Sequence, residues 1–283
     1  MKFRFVLLAF FNFALAGQSI AAEGFVKLPK AGFADSAYVR CNSTGNYGLG
    51  KAEAPNNVSN NTCSVSSQTL LTSPMNAPIE GFSMKGLLVR GIADKDAALA
   101  TITDTIWRNK DNTECILGTH VEMLDVPLAD GQYWEINDIV RAGFEGKDVE
   151  IAYFYKPQTE VEGGNVEMLF RAGRTYTSVK SDESQPLPGL KNTPSVKKGL
   201  SDSNAAAVSE NWIDFTTDVS FKDPDGSART MTSMFYIKYK CDANDPVEKD
   251  GAIRLRTVGQ NGQKSMEMSV SGLVPIDGEV ERY

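Results

Sequence analysis

Few residues in this chain are equipped for chemistry: four cysteines, one histidine, and carboxylates and tryptophans set among strand-like runs. The cysteines are Cys41, Cys63, Cys115 and Cys241. No Cys-x-x-Cys pair occurs, and the lone His120 cannot complete a familiar zinc ligand set. An even count favours disulfides in an oxidising compartment, with three pairings open to sequence alone. The favoured pairing joins Cys41 to Cys63 around a short polar loop and Cys115 to Cys241 across a long stretch of chain. Closing the longer loop removes the larger entropy from the unfolded state.

His120 falls in the run Gly118-Thr119-His120-Val121-Glu122-Met123. If that run alternates as a strand, His120 shares a face with Glu122, opposite Val121 and Met123. A solvent-side or hydrogen-bonded strand histidine has this setting as much as a general base does. No Gly-x-Ser-x-Gly elbow, Gly-rich phosphate loop or nucleotide fingerprint is present. No catalytic residue is assigned.

Paired carboxylates can hydrolyse a glycoside, and Glu122, Glu135, Asp138 and Glu150 lie in or near strand-like segments. With 36 acidic residues, chance pairs are inevitable. Trp134 beside Glu135 is the pair best suited to ligand binding, because an indole face stacks on a sugar ring while a carboxylate accepts its hydroxyls. Trp107, Trp134 and Trp212 could together form an aromatic platform, although aromatics in strands more often serve a core.

Hard oxygen ligands crowd two turns, Asp223 and Asp225 in one and Asp242 and Asp245 in the other. Calcium is the ion such loops hold in exported β-proteins. The same residue types are what turns require, and neither run fits the twelve-residue EF-hand pattern.

The elements that must position these residues read as strands. In Ile253-Arg254-Leu255-Arg256-Thr257-Val258 apolar and basic side chains alternate, and Met266, Met268 and Val270 alternate with polar residues. The run Met234-Phe235-Tyr236-Ile237-Lys238-Tyr239 is rich in aromatic and β-branched types. Alternation of this kind puts one face in a core and one in water, the antiparallel pattern. Asp223-Pro224-Asp225-Gly226 is expected to join strands 213–221 and 231–240 as a hairpin, and Gln260-Asn261-Gly262-Gln263 to join the last two strands. Glu162-Gly163-Gly164-Asn165 is a third turn. Helix is scarce: 94–99 and 136–142 are each expected to make a turn or two. The fold class that follows is all-β, an antiparallel β-sandwich with jelly-roll-like topology, long loops and little helix. One domain over 23–283 is expected, with loop excursions near 42–67 and 181–211.

The N-terminus carries Lys2 and Arg4, then an apolar run of about 12 residues, then Ala14-Leu15-Ala16 and Ala21-Ala22, the three parts of a signal peptide. The run is too short for a membrane span, which needs roughly 20 residues. Cleavage is expected to remove 1–22. No cysteine follows the small residues, so no lipid is expected, and the polar C-terminus shows no sorting anchor. Losing Lys2 and Arg4 leaves 27 basic against 36 acidic residues, a change in net charge from −7 to −9. That acidity argues against nucleic acid or anionic lipid as a partner. A soluble periplasmic or extracellular protein is expected, with no membrane span in the mature chain.

Several runs carry a resemblance: Ile106-Trp107-Arg108-Asn109 leading to Thr113-Glu114-Cys115-Ile116-Leu117-Gly118-Thr119-His120; Glu135-Ile136-Asn137-Asp138; Phe170-Arg171-Ala172-Gly173-Arg174-Thr175; Asn211-Trp212-Ile213-Asp214-Phe215-Thr216-Thr217-Asp218-Val219; and Asp223-Pro224-Asp225-Gly226. Over roughly 107–274 the chain resembles the bacterial exported choice-of-anchor proteins, most like the F family. The resemblance implies an extracytoplasmic β-rich body from a bacterial envelope or secretome and brings no catalytic residue with it. The polar C-terminus departs from the family's sorting signal, so no surface anchor is expected. Two functions follow as expectations. The first is a non-enzymatic β-protein with a structural, adhesive or ligand-binding role, whose partners are polysaccharide or other envelope or extracellular proteins. The alternative is a secreted carbohydrate-binding or carbohydrate-hydrolysing protein.

Overall fold

The computed structural model describes residues 24–33, 37–41, 62–65, 75–154, 166–167, 169–176, 208–222, 229–244, 246–257 and 266–280. Residues 1–22, expected to be cleaved, lie outside them, as do the turns expected at 162–165 and 260–263. The strands in chain order are β1 (Val26–Leu28), β2 (Tyr38–Arg40), β3 (Ser64–Val65), β4 (Phe82–Asp94), β5 (Ala97–Asn109), β6 (Glu114–Met123), β7 (Glu135–Arg141), β8 (Val149–Phe154), β9 (Val166–Glu167), β10 (Arg171–Gly173), β11 (Ile213–Ser220), β12 (Met231–Thr232), β13 (Phe235–Lys240), β14 (Val247–Thr257) and β15 (Met266–Val274).

They form an all-β sandwich. A nine-stranded sheet runs β1-β8-β13-β6-β12-β9, with β3 beside β8 and the β4–β5 pair joined through β5 to β6. A six-stranded sheet runs β15-β14-β7-β11-β10-β2. Pairing is antiparallel except for β3 with β8 and β9 with β12. Among the described residues neither sheet closes into a barrel.

Alternation explains the core. Ile102, Ile106, Leu117 and Val121 of the first sheet meet Ile139, Ile213, Phe215, Ile253 and Leu255 of the second, all buried in one cluster. The Phe215 and Phe235 rings stack across the gap at 5.4 Å. Fully burying each such side chain stabilises the fold by about 1.5–3 kcal/mol. The outer face of the nine-stranded sheet is apolar too. Trp107 and Tyr236 meet edge to face at 5.8 Å, and Met75, Ala77, Ile79 and Phe82 pack against their cluster. Gly118 makes room there: a Cβ on it would sit 2.5 Å from the Trp107 ring.

Three local expectations are corrected. Residues 136–142 are not helical; 135–141 form β7, central in its sheet between β11 and β14. Apolar residues at 136, 139 and 140 follow helical spacing. A strand buried on both faces need not alternate, and β7 buries Ile139 in the main core and Val140 on the other side with Trp212. Residues 94–99 make the tip of the β4–β5 hairpin, where Lys95 takes a left-handed φ of 54°. The connection through Asp223 is not a hairpin. Strand β11 belongs to the six-stranded sheet, β12 and β13 to the other, so the chain changes sheet there. The last two strands do pair antiparallel, Ile253 opposite Val270 and Leu255 opposite Met268.

Both favoured disulfides are present. Cys41–Cys63 spans 22 residues and Cys115–Cys241 spans 126. The second staples the ends of neighbouring strands β6 and β13, where Cys241 N–H already donates to the Thr113 carbonyl.

Candidate functional site

A cleft of about 260 Å³ opens where the chain enters β7. A tight loop builds its rim: Gly131 N–H donates to Leu128 O, Leu128 N–H to Gln132 O, and Gln132 N–H to Asp130 Oδ1. Gly131 holds a φ of 83°, a conformation glycine adopts without the steric cost other residues meet. Tyr133 stacks on Phe221 at 6.0 Å and donates to Asp125 Oδ1 at 2.6 Å. Lys222 Nζ donates to the Tyr133 hydroxyl at 2.8 Å and lies 4.6 Å from its ring. The Tyr133 hydrogen bond, with help from Lys222, holds the Asp125 carboxyl below its usual range.

Trp134 and Glu135, the pair singled out from sequence, both line this cleft, each only 2 % exposed. The Trp134 indole N–H has no acceptor among the described residues. Glu135 Oε1 accepts from Asn137 Nδ2 at 2.5 Å, and the same amide donates to Asp218 at 3.2 Å. The Glu135 main-chain carbonyl accepts from Thr257 Oγ1. Asp94 and Asp130 supply further carboxylates, and Leu128 and Met266 an apolar wall. This arrangement can accept hydroxyl or ammonium donors and pack one small apolar face. Its volume lies just under the roughly 300–1,000 Å³ of common ligand pockets, so it suits one small group.

The other sequence candidates are not brought to this cleft. Trp107 and Trp212 are fully buried, so no three-tryptophan platform exists. His120 Nδ1–H donates to the Thr232 carbonyl at 2.7 Å, and burial pushes its pKa down. Asp242 Oδ1 accepts the Asn244 N–H at 2.8 Å, the chemistry of a turn. Asp223, Asp225 and Asp245 lie outside the described residues. Among the described residues no three His, Cys, Asp or Glu side chains gather as metal ligands.

A second ionisable cluster lies on the face of the six-stranded sheet that points away from the core. Strand register puts Thr216 between Asp138 on β7 and Arg171 on β10, and Gly173 between Asp214 and Tyr38. Tyr38 OH donates to Asp214 Oδ2 at 2.7 Å, and Arg171 Nε donates to Thr216 Oγ1 at 3.1 Å while stacking 3.9 Å from the Tyr38 ring. Burial, then the neighbouring Asp138, push the Asp214 carboxyl well up. On the same face Arg256 Nε donates to Glu267 Oε2 at 2.7 Å and Arg254 Nη1 to Glu267 Oε1 at 3.3 Å. Asp138 was visible in the sequence as a carboxylate near others; Asp214 was missed. Its alternation with Ile213 and Phe215 was a signal for the outer face, but its partner strand was not legible. Both aspartates are fully buried, and the Tyr38–Asp214 and Arg171–Thr216 bonds tie β2, β10 and β11 together on this face.

A third charged group joins the sheets. Arg141 from β7 meets Asp104 from β5 through two contacts of 2.5 and 3.0 Å, and its Nη2 also donates to the Leu273 carbonyl at 2.6 Å. Leu273 N–H returns a 2.7 Å bond to Asp104 Oδ2. No helix among the described residues is long and apolar enough to cross a membrane. No family model, curated protein or solved structure matches the chain.

Proposed function

We propose that this is an exported, non-enzymatic β-protein of the bacterial envelope that binds a small polyhydroxylated or cationic group at the Trp134 cleft. The observation that carries the reading is the cleft itself, where the accessible Asp94, Asp130 and Tyr133 converge with an apolar wall over a floor formed by the buried Trp134 and Glu135. The leader-like N-terminus, the two disulfides and the resemblance to exported choice-of-anchor proteins support the compartment. The strongly perturbed acid, Asp214, is tied into the buried cluster and away from the cleft, which favours binding over turnover. Titration of the exported chain with a panel of mono- and oligosaccharides and polyamines tests this. Saturable binding that weakens at least tenfold in Asp130→Asn and Tyr133→Ala supports it; no saturable binding across the panel overturns it.

The carbohydrate-hydrolysing alternative rests on Glu135 beside Trp134 in the same cleft. It requires turnover of a glycoside that Glu135→Gln abolishes. Turnover unaffected by that change would remove it.

A further inference from the structure

The structure carries an interaction surface away from the cleft. Strand β4 is 13 residues long and, among the described residues, pairs with β5 on one edge and with no strand on the other. It contains no proline, so no residue lacks a backbone donor. Met84, Leu87 and Val89 are three of the five large hydrophobic residues that stand exposed among the described residues, at 44, 46 and 59 %. A long, exposed, apolar edge is a template for another strand, and proteins ordinarily blunt it with charge, proline or bulges. Here the register shifts fall at the ends, between Met84 and Gly86 and between Ile92 and Ala93. The stretch between them is regular. Its one cation, Arg90, is turned to Glu248 of the same chain.

We infer that this edge pairs with the same edge of a second copy of the chain, antiparallel about a two-fold axis at Leu88. The residue order argues for a copy over any other occupant. In Lys85-Gly86-Leu87-Leu88-Val89-Arg90-Gly91, inversion about Leu88 sets each cation opposite a glycine, Lys85 against Gly91 and Arg90 against Gly86. Leu87 falls opposite Val89 twice, and Leu88 opposite itself. No like charges face each other, and the exposed apolar pair of one copy meets that of the other on the same sheet face. Cross-strand apolar pairs of this kind stabilise antiparallel pairing, and a self-complementary patch closes as an isologous dimer. The nine-stranded sheet would then continue across the dimer axis, a β-augmentation in which main-chain hydrogen bonds give affinity and Leu87 and Val89 set the register.

Sedimentation equilibrium of the exported chain over a concentration series tests this. The expected result is a mass that doubles with concentration. Val89→Lys is expected to abolish the doubling while keeping the melting midpoint that the wild type shows when dilute enough to be monomeric, because Val89 is more than half exposed. Val208→Lys, which charges another exposed apolar residue, is expected to dimerise like wild type. Backbone amides of 87–91 are expected to exchange more slowly as concentration rises, in wild type but not in Val89→Lys. A wild-type chain that stays monomeric throughout, or a Val89→Lys chain that associates as tightly as wild type, overturns the inference.

Discussion

Tyr38 reaches Asp214 across a gap that exists only because residue 173 is glycine. Strand β10 lies between β2 and β11, and Gly173 stands directly between the two residues in register. The Tyr38 hydroxyl passes over it to donate at 2.7 Å. A Cβ on Gly173 would lie 2.4 Å from the Ala37 carbonyl oxygen and 2.7 Å from Tyr38 Cδ1.

Gly173→Ala is therefore expected to destabilise the fold by about 1–3 kcal/mol, the usual cost of overpacking. Tyr38→Phe keeps the ring and removes the donor, which leaves a buried carboxyl oxygen unsatisfied at a cost of about 1–3 kcal/mol. Urea denaturation of both variants checks this. Because the two changes disrupt one contact, their double variant should lose less than the sum.

Asp214 gives stability a pH signature. Its folded pKa is raised above 3.8, first by burial and then by Asp138. A carboxyl raised on folding contributes stability that is complete below its unfolded pKa and is lost as pH rises through the folded value. Asp214→Asn cannot ionise. The wild-type unfolding free energy, relative to this variant, should fall as pH rises from about 4 upward. Parallel pH profiles for the two proteins would exclude Asp214 as the source.

The Asp104–Arg141 pair joins the sheets, with side chains 3 % and 1 % exposed. Burial outweighs the pull of Arg141, so the Asp104 carboxyl is raised. Removing one partner strands a buried charge, and Arg141→Met alone should cost about 3–5 kcal/mol. The double variant Asp104→Leu/Arg141→Met should recover much of that loss. A double-mutant cycle by denaturant unfolding reads the coupling directly.

The two disulfides should differ in worth. Their loops span 126 and 22 residues. Loop-closure entropy makes the longer one more stabilising by roughly 1.5 kcal/mol. Cys115→Ser/Cys241→Ser should therefore lower the denaturation midpoint more than Cys41→Ser/Cys63→Ser. Unfolding measured for both double variants and the oxidised parent tests the order.

The sequence by itself determined the strand character of most segments, because side-chain alternation is local. Ile253 and Leu255 are buried in the core, as their alternation with Arg254 requires in a strand, and their hairpin partners Val270 and Met268 were legible nearby. It also favoured the two cysteine pairs that the structure forms, and it placed Trp134 next to Glu135 in the chain. Tertiary structure decided which sheet each strand joins. That choice moved β11 and β13 into different sheets and drew β7 from a helix-like spacing into the centre of one. It alone brought Asp104 to Arg141 over 37 residues and Tyr38 to Asp214 over 176. The reason is physical: a strand's alternation says which face is buried, but its partner is set by long-range pairing and by the packing of both faces, and neither is written in the local order of residues.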